Sequence, residues 1–274
     1  LNEVRNDYRG MPTGVGEEFF TSNEKGLYPF IIKYYHYVFF GMDPANDANN
    51  KLLLQWYTGQ TGLMHYLLPF GLCFSKASLI DQVADLYEGC PALQDFKPWA
   101  KYNMMTKREL SLLMTSIMRI AGVQGTGLMC CNILGGTGKL GKKKIDPTQF
   151  MKKVNFSETE ALKRYIFETS RLGVAVTASS MLARQDFTTI IHGKQCRFPK
   201  GTKISIPLSL GMADADFWGV DVHDFKLDRA KLCPYLLSFN SVGVDEHMKS
   251  NGRDCPGAEQ ATYLMLELLR ACES

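Results

Sequence analysis

No charge of one sign dominates this chain. Its 31 basic and 28 acidic residues leave a formal net charge of +3, too even a balance to argue for nucleic acid or an anionic membrane as partner. Long apolar runs are missing too. The most apolar stretches are Tyr28 to Met42, interrupted by Lys33 and His36, and Met64 to Phe74, broken by Pro69 and Gly71. Neither matches the ~20 apolar residues of a membrane span, which leaves monotopic contact with a bilayer open. The 8 cysteines contain no Cys-x-x-Cys pair and no dense disulfide framework; they read as free thiols of an intracellular, reducing compartment. A basic-then-apolar leader is absent, and the chain opens on Leu1 rather than Met, as a processed or partial chain would. There is no internal repeat and no low-complexity tract.

What is present is ordinary globular composition: 274 residues, 45% hydrophobic and 22% charged. That excludes a disordered tail or a fibre and, at about 150 residues per domain, predicts one large domain or two small ones. The first hundred residues read as helical and aromatic. Asp43-Pro44-Ala45-Asn46-Asp47 is a turn or helix start, and Lys51 to Leu68 resumes at helical spacing. Ile80, Val83, Ala84 and Tyr87 share one face of a helix closed by Gly89-Cys90-Pro91. Thr106 and Glu109 form a capping box before a long apolar helix. Gly122, Gly125 and Gly127 interrupt that helix, and each glycine costs about 1 kcal/mol relative to Ala, so a distortion or a close approach is expected there. A second capping box, Ser157 to Glu160, predicts a helix to about Leu172. Phe187 to Ile191 and Lys203 to Pro207 read as strands, with Pro199 to Thr202 as the turn between them.

Gly135-Gly136-Thr137-Gly138-Lys139 tempts a phosphate-loop reading, but Ile133 stands where the first Gly belongs and Leu140 follows the Lys. It reads as a solvated loop. His36, His65, His192, His223 and His247 are scattered without metal-ligand spacing, and Trp56, Trp99 and Trp218 read as packing.

Three sparse signals carry the chemistry. Glu168-Thr169-Ser170-Arg171 places an acid and a base three apart on one helix face. Phe225-Lys226-Leu227-Asp228-Arg229 follows and could supply a further Arg to that pair. Gly252-Arg253-Asp254-Cys255-Pro256-Gly257 then precedes the last helix. A Cys just before a helix N-terminus sees the positive dipole end and free backbone N–H groups, which favour a thiolate; a thiolate so held is a good axial ligand to haem iron.

In this order the three segments resemble the signatures of the haem-thiolate cytochrome P-450 family. The resemblance implies a mainly α fold with a small β region, P-450-like and incomplete at both ends, in one domain over 1–274. Early helices would occupy 1–105, a long distal helix 106–134, the Glu-x-x-Arg helix 157–172, the β region 186–210, the haem-binding loop 239–257 and the proximal helix 256–272. It implies haem b with Cys255 as the metal ligand and Arg253 as a propionate partner. Phe239 and Gly257 would belong to the haem loop, and Ala261 would be the small residue that lets the haem lie against the helix. Glu168, Arg171 and Arg229 would be the structural signature.

The lengthened loop between Phe239 and Cys255 is similar to that of the allene oxide synthase and hydroperoxide lyase branch, as are Phe40 to Ala45, Leu54-Gln55-Trp56 and Met105-Thr106-Lys107. That branch takes a fatty-acid hydroperoxide as substrate and uses neither O2 nor a reductase. It is associated with plastids or membranes. In the long helix Gln124 stands where an oxygen-activating member carries an acid and Gly125 where it carries an alcohol; a one-residue slip brings in Thr126 but no acid. Proton delivery to dioxygen is thereby poorly provided for. Gln124, Ala121 and Gly125 are the candidate catalytic positions. The chain departs from the pattern at Ala121, where the branch has Asn, at Met181 and Leu182, where an Arg is expected, and at Gly173 to Val176, where a Pro-rich stretch is missing. Those departures motivate a second reading, a non-enzymatic accessory subunit of a larger membrane or plastid complex in which haem is lost.

Overall fold

The computed structural model describes residues 27–58, 73–94, 105–135, 140–175, 178–229, 232, 255 and 257–273. They fall into two compact units, one running to Gly138 and taking in the chain's end from Glu267, the other spanning Lys139–Leu266.

The first unit is helical. Its elements are α1 (Leu27–Phe40), α2 (Asp47–Thr58), α3 (Cys73–Glu88), the short α4 (Pro91–Gln94), α5 (Lys107–Ile117), a π-helical segment (Met118–Gly125) and α6 (Thr126–Ile133). Each boundary has a local cause. Gly41, at φ +66°, ends α1 with its N–H on the Tyr37 carbonyl at 3.0 Å. Asn46 caps α2, its side-chain oxygen accepting from Asn49 N at 3.1 Å. The helix predicted from Lys51 is present as far as Thr58, and 59–72 lie outside the described residues. Val83, Ala84 and Tyr87 are buried as their spacing predicts, and α3 packs against α5. Arg108 ties the two together across Asp81, Asp85 and Glu88.

The capping box forms in full: Thr106 accepts from Glu109 N, and the Glu109 carboxylate accepts from Thr106 N at 2.6 Å. Thr106→Ala removes the backbone-capping oxygen, so urea unfolding should show a loss of about 1 kcal/mol; an unchanged midpoint would show that the box adds nothing to this helix.

Met118–Gly125 is where the glycine-interrupted stretch departs from α geometry. Its wider turn accommodates one extra residue. Beyond it, Gly127 is required by contact: a Cβ there would lie 3.0 Å from the Tyr28 ring.

The second unit holds α7 (Thr148–Met151), α8 (Thr159–Leu172), four strands, α9 (Leu208–Gly211), α10 (Ala215–Trp218) and the start of α11 (Ala258–Glu273). Here the sequence reading needs two corrections. Ser157 does not cap α8; its hydroxyl and N–H both donate to Asn155 Oδ1, and the helix begins at Thr159 after Glu158, which makes no side-chain cap. An Asn two residues back offers an Asx turn that competes with the cap. The strands also pair differently. β2 (Phe187–Ile191) joins β3 (Lys194–Phe198) through His192-Gly193, whose positive φ values of 49° and 76° suit a two-residue hairpin. Pro199 to Thr202 connects β3 to β4 (Lys203–Ile206), which pairs antiparallel with β1 (Ser179–Leu182). Met181 and Leu182 are therefore strand residues.

Candidate functional site

In the second unit α8 brings Glu168 and Arg171 together in full burial, their side chains 0% exposed, and Arg229 joins them at 6%. The Arg171 guanidinium donates through Nε and Nη2 to the two Glu168 oxygens at 2.7 and 2.8 Å. Its remaining N–H groups reach the carbonyls of Met212, Val222 and Asp224. Arg229 donates to Glu168 Oε1 at 3.0 Å, to the carbonyls of Trp218, Asp221 and Asp224, and to the Asp221 carboxylate. Both guanidinium groups have five donors, and all ten bonds are made. Glu168 also accepts from Lys226 N at 2.9 Å. Asp221 is held down to about 2 by Lys226 and Arg229. The cluster staples the irregular segment from Met212 to Arg229 onto α8, which is a structural task and not a chemical one. Beside it lies a cavity of about 450 Å³ lined by Phe217, Trp218, Asp221, Lys226 and other residues of this segment; it is lined neither by Cys255 nor by Gln124.

Cys255 is a half-buried free thiol. Its carbonyl accepts from Ala258 N at 3.1 Å, so the residue leads straight into α11. Gly257 leaves its own position open: among the described residues an added Cβ would meet only the Cys255 sulfur, at 4.0 Å. Ala261, one turn on, is buried and presents a methyl group, and its N–H closes the first turn on Gly257 O at 2.9 Å. A free, half-buried sulfur with no side chain at 257 beside it fits a thiolate ligand. Phe239 and Arg253 lie outside the described residues.

In the first unit Ala121, Gln124 and Gly125 all sit in the π-helical segment, and Gln124 is half-buried. Thr126 is committed elsewhere: its hydroxyl bonds the buried Tyr35 hydroxyl at 2.8 Å.

One buried polar cluster escaped the sequence reading. His36 is 2% exposed. Its Nδ1 lies 2.6 Å from the Ile32 carbonyl and so carries the proton; Nε2, 2.8 Å from the Tyr87 hydroxyl, is then the acceptor. Tyr57 completes the chain, 3.1 Å from Tyr87. The His36 ring stacks on Tyr87 at 8°. No spacing signals this, because the partners come from α2 and α3. Burial pushes His36 down to about 4, against a smaller upward pull from the Ile32 carbonyl. The unfolded chain takes up this proton below about 6.5 and the folded chain only near 4, so His36 contributes stability that is full above pH 6.5 and lost as pH falls towards 4. The loss reaches about 3 kcal/mol. Denaturation midpoints measured from pH 7 to pH 4 for the protein and for His36→Asn should differ least at low pH; parallel curves would sink the assignment.

No family model matches the chain, and no curated protein matches it in sequence. Solved structures do match. CYP109E1 from Bacillus megaterium superposes with a TM-score of 0.66 at 16% identity, covering 98% of this chain and 64% of that one. Cytochrome P450 Eryk from S. erythraea gives 0.66 at 13% identity, with 98% and 65% coverage. CYP150A6 from Mycobacterium marinum gives 0.62 at 15%, with 99% and 57% coverage.

The chain has the cytochrome P450 fold.

It spans about three fifths of the length of these P450 structures. The mainly α architecture with a small β region, expected from three short motifs, stands on this likeness. No helix among the described residues is long and apolar enough to cross a membrane.

Proposed function

We propose that this P450-fold chain belongs to a haem-thiolate enzyme that rearranges or cleaves fatty-acid hydroperoxides, using neither O2 nor a reductase. The observation that carries the haem reading is Cys255: a half-buried free sulfur leading into α11, with no side chain at Gly257 beside it. When bound, the haem supplies the iron centre at which the substrate's O–O bond is split. Cys255 would ligate that iron and push electron density onto it. Arg253 would neutralise a propionate, and Phe239 would pack against the haem loop. By the branch resemblance, Gln124, Ala121 and Gly125 would be the catalytic positions, with the Gln124 amide as a hydrogen-bond donor toward a peroxide. The bond between Thr126 and Tyr35 favours a hydroperoxide over dioxygen as the oxygen source, because it occupies the alcohol that proton delivery would need. A plastid or membrane-attached setting, which the branch resemblance implies, is part of the same proposal.

The test is spectroscopic first. The chain supplied with haem should show a Soret band that shifts to the red thiolate–carbonyl position on reduction under carbon monoxide, and should then consume a fatty-acid hydroperoxide. Failure to take up haem would overturn the enzyme reading in favour of an accessory protein on a P450 scaffold. Haem binding with turnover of O2 and a reductase, but not of hydroperoxide, would overturn the substrate assignment alone.

A further inference from the structure

The near-neutral balance of the whole chain conceals a local asymmetry in the second unit. Leu140 and Ile145 pair through a single bridge, and the tip between them carries Lys142, Lys143 and Lys144, all exposed. Lys144 sits at φ +53°. Lys152 and Lys153 follow α7, also exposed. The two groups share one surface. Lys143 pairs with Asp224. The next residue, Phe225, stacks on Phe150 at 4.4 Å, and Lys153 lies over the outer Phe150 ring at 5.5 Å.

Two carboxylates stand against the five lysines of this face: Asp146, which accepts from the Thr148 N–H and hydroxyl at 2.9 and 2.7 Å, and Asp224, which pairs with Lys143; the balance stays positive. Among the described residues Lys142, Lys144, Lys152 and Lys153 have no carboxylate within ion-pair distance.

We propose that Lys142, Lys143, Lys144, Lys152 and Lys153 form a cationic face that docks the protein onto an anionic lipid surface. The composition of the face selects this partner. Specific protein interfaces are built on aromatic and Arg anchors and are depleted in Lys; this face is all lysine with no apolar centre. Single-stranded nucleic acid needs open aromatic faces for bases to stack on; the one aromatic pair here, Phe150 and Phe225, stacks on itself and is covered by Lys153. A plane of lipid headgroups needs neither feature. It rewards several flexible, hydrated ammonium groups at one level, each adding about fivefold to the partition coefficient, equivalent to about 1 kcal/mol. The inference is independent of haem and needs no spanning helix.

Sedimentation of the full chain with phosphatidylcholine vesicles containing phosphatidylserine tests it. Binding should be present with these vesicles, absent with phosphatidylcholine alone, and weakened as salt shortens the Debye length from about 10 Å. Changing Lys142, Lys144, Lys152 and Lys153 to Gln together should lower the partition coefficient by more than about a hundredfold. The same four positions changed to Arg should preserve it, which separates charge from any effect on folding. Salt-insensitive binding, equal binding of the Gln variant, or capture by heparin or an acidic protein while the phosphatidylserine vesicles stay bare would each overturn the proposal. Sedimentation reads no property of haem, so this inference and the haem proposal fail separately.

Discussion

Glu168→Gln is expected to cost the second unit about 3–5 kcal/mol, enough to unfold it at ordinary temperatures in a marginally stable chain. The carboxylate is fully buried between two guanidinium groups. Removing its charge leaves two cations in the interior with no anion between them, and the amide nitrogen cannot accept the bonds that Glu168 Oε2 or Oε1 accepts now. The loss is not a matter of one bond. Arg171 and Arg229 together hold the carbonyls of Met212, Trp218, Asp221, Val222 and Asp224, so release of either lets the irregular segment leave α8. Circular dichroism during urea unfolding should show a large shift in midpoint. Arg108→Ala is the comparison: it breaks three ion pairs at the exposed α3–α5 surface, and exposed pairs contribute little. A Glu168→Gln protein as stable as Arg108→Ala would mean that the cluster does not hold the fold.

The second expectation concerns Cys255. Replacing it by Ser should abolish the red-shifted carbonyl band and reduce hydroperoxide turnover to the level of haem free in solution, with the helical circular dichroism unchanged. Cys130 is the control. It is wholly buried in the first unit, and burial pushes its thiol well up, which makes it a poor ligand. Cys130→Ala should leave both spectrum and turnover as they were. A Cys255→Ser protein that keeps the thiolate band would assign the ligand to another sulfur.

What could be read from the sequence was local. The Thr106 capping box needs only four residues, and the Val83, Ala84 and Tyr87 face only one turn of helix; both are visible in the chain and both form. The Glu168 and Arg171 spacing was equally visible, but by itself it describes any exposed helix pair. Their complete burial depends on Arg229 and on carbonyls 41 to 53 residues away. The same limit hid His36, whose partners in packing and hydrogen bonding, Tyr57 and Tyr87, lie 21 and 51 residues on. Strand pairing failed for a related reason: β4 finds its partner in β1, across the hairpin between them, and nothing in Lys203 to Pro207 announces which of two earlier strands it will join. Ser157 shows the local rules competing with one another, since Asn155 offers the closer turn.

The π-helical segment in the middle of the long helix sets a phase. An α-helix advances about 100° per residue, and one extra residue in a wide turn places everything after Gly125 out of step with everything before Met118. Counting along the sequence at α spacing therefore drifts by one position across this stretch, the ambiguity between Gly125 and Thr126. The consequence is evolutionary as much as structural. Loss of a single residue between Met118 and Gly125 would let the helix close at ordinary pitch and rotate α6 by about a quarter turn. Thr126 would swing off Tyr35, the glycine at 127 would no longer face Tyr28, and the hydroxyl now held in that bond would be released. One codon thus separates this helix from one with a free alcohol at its centre.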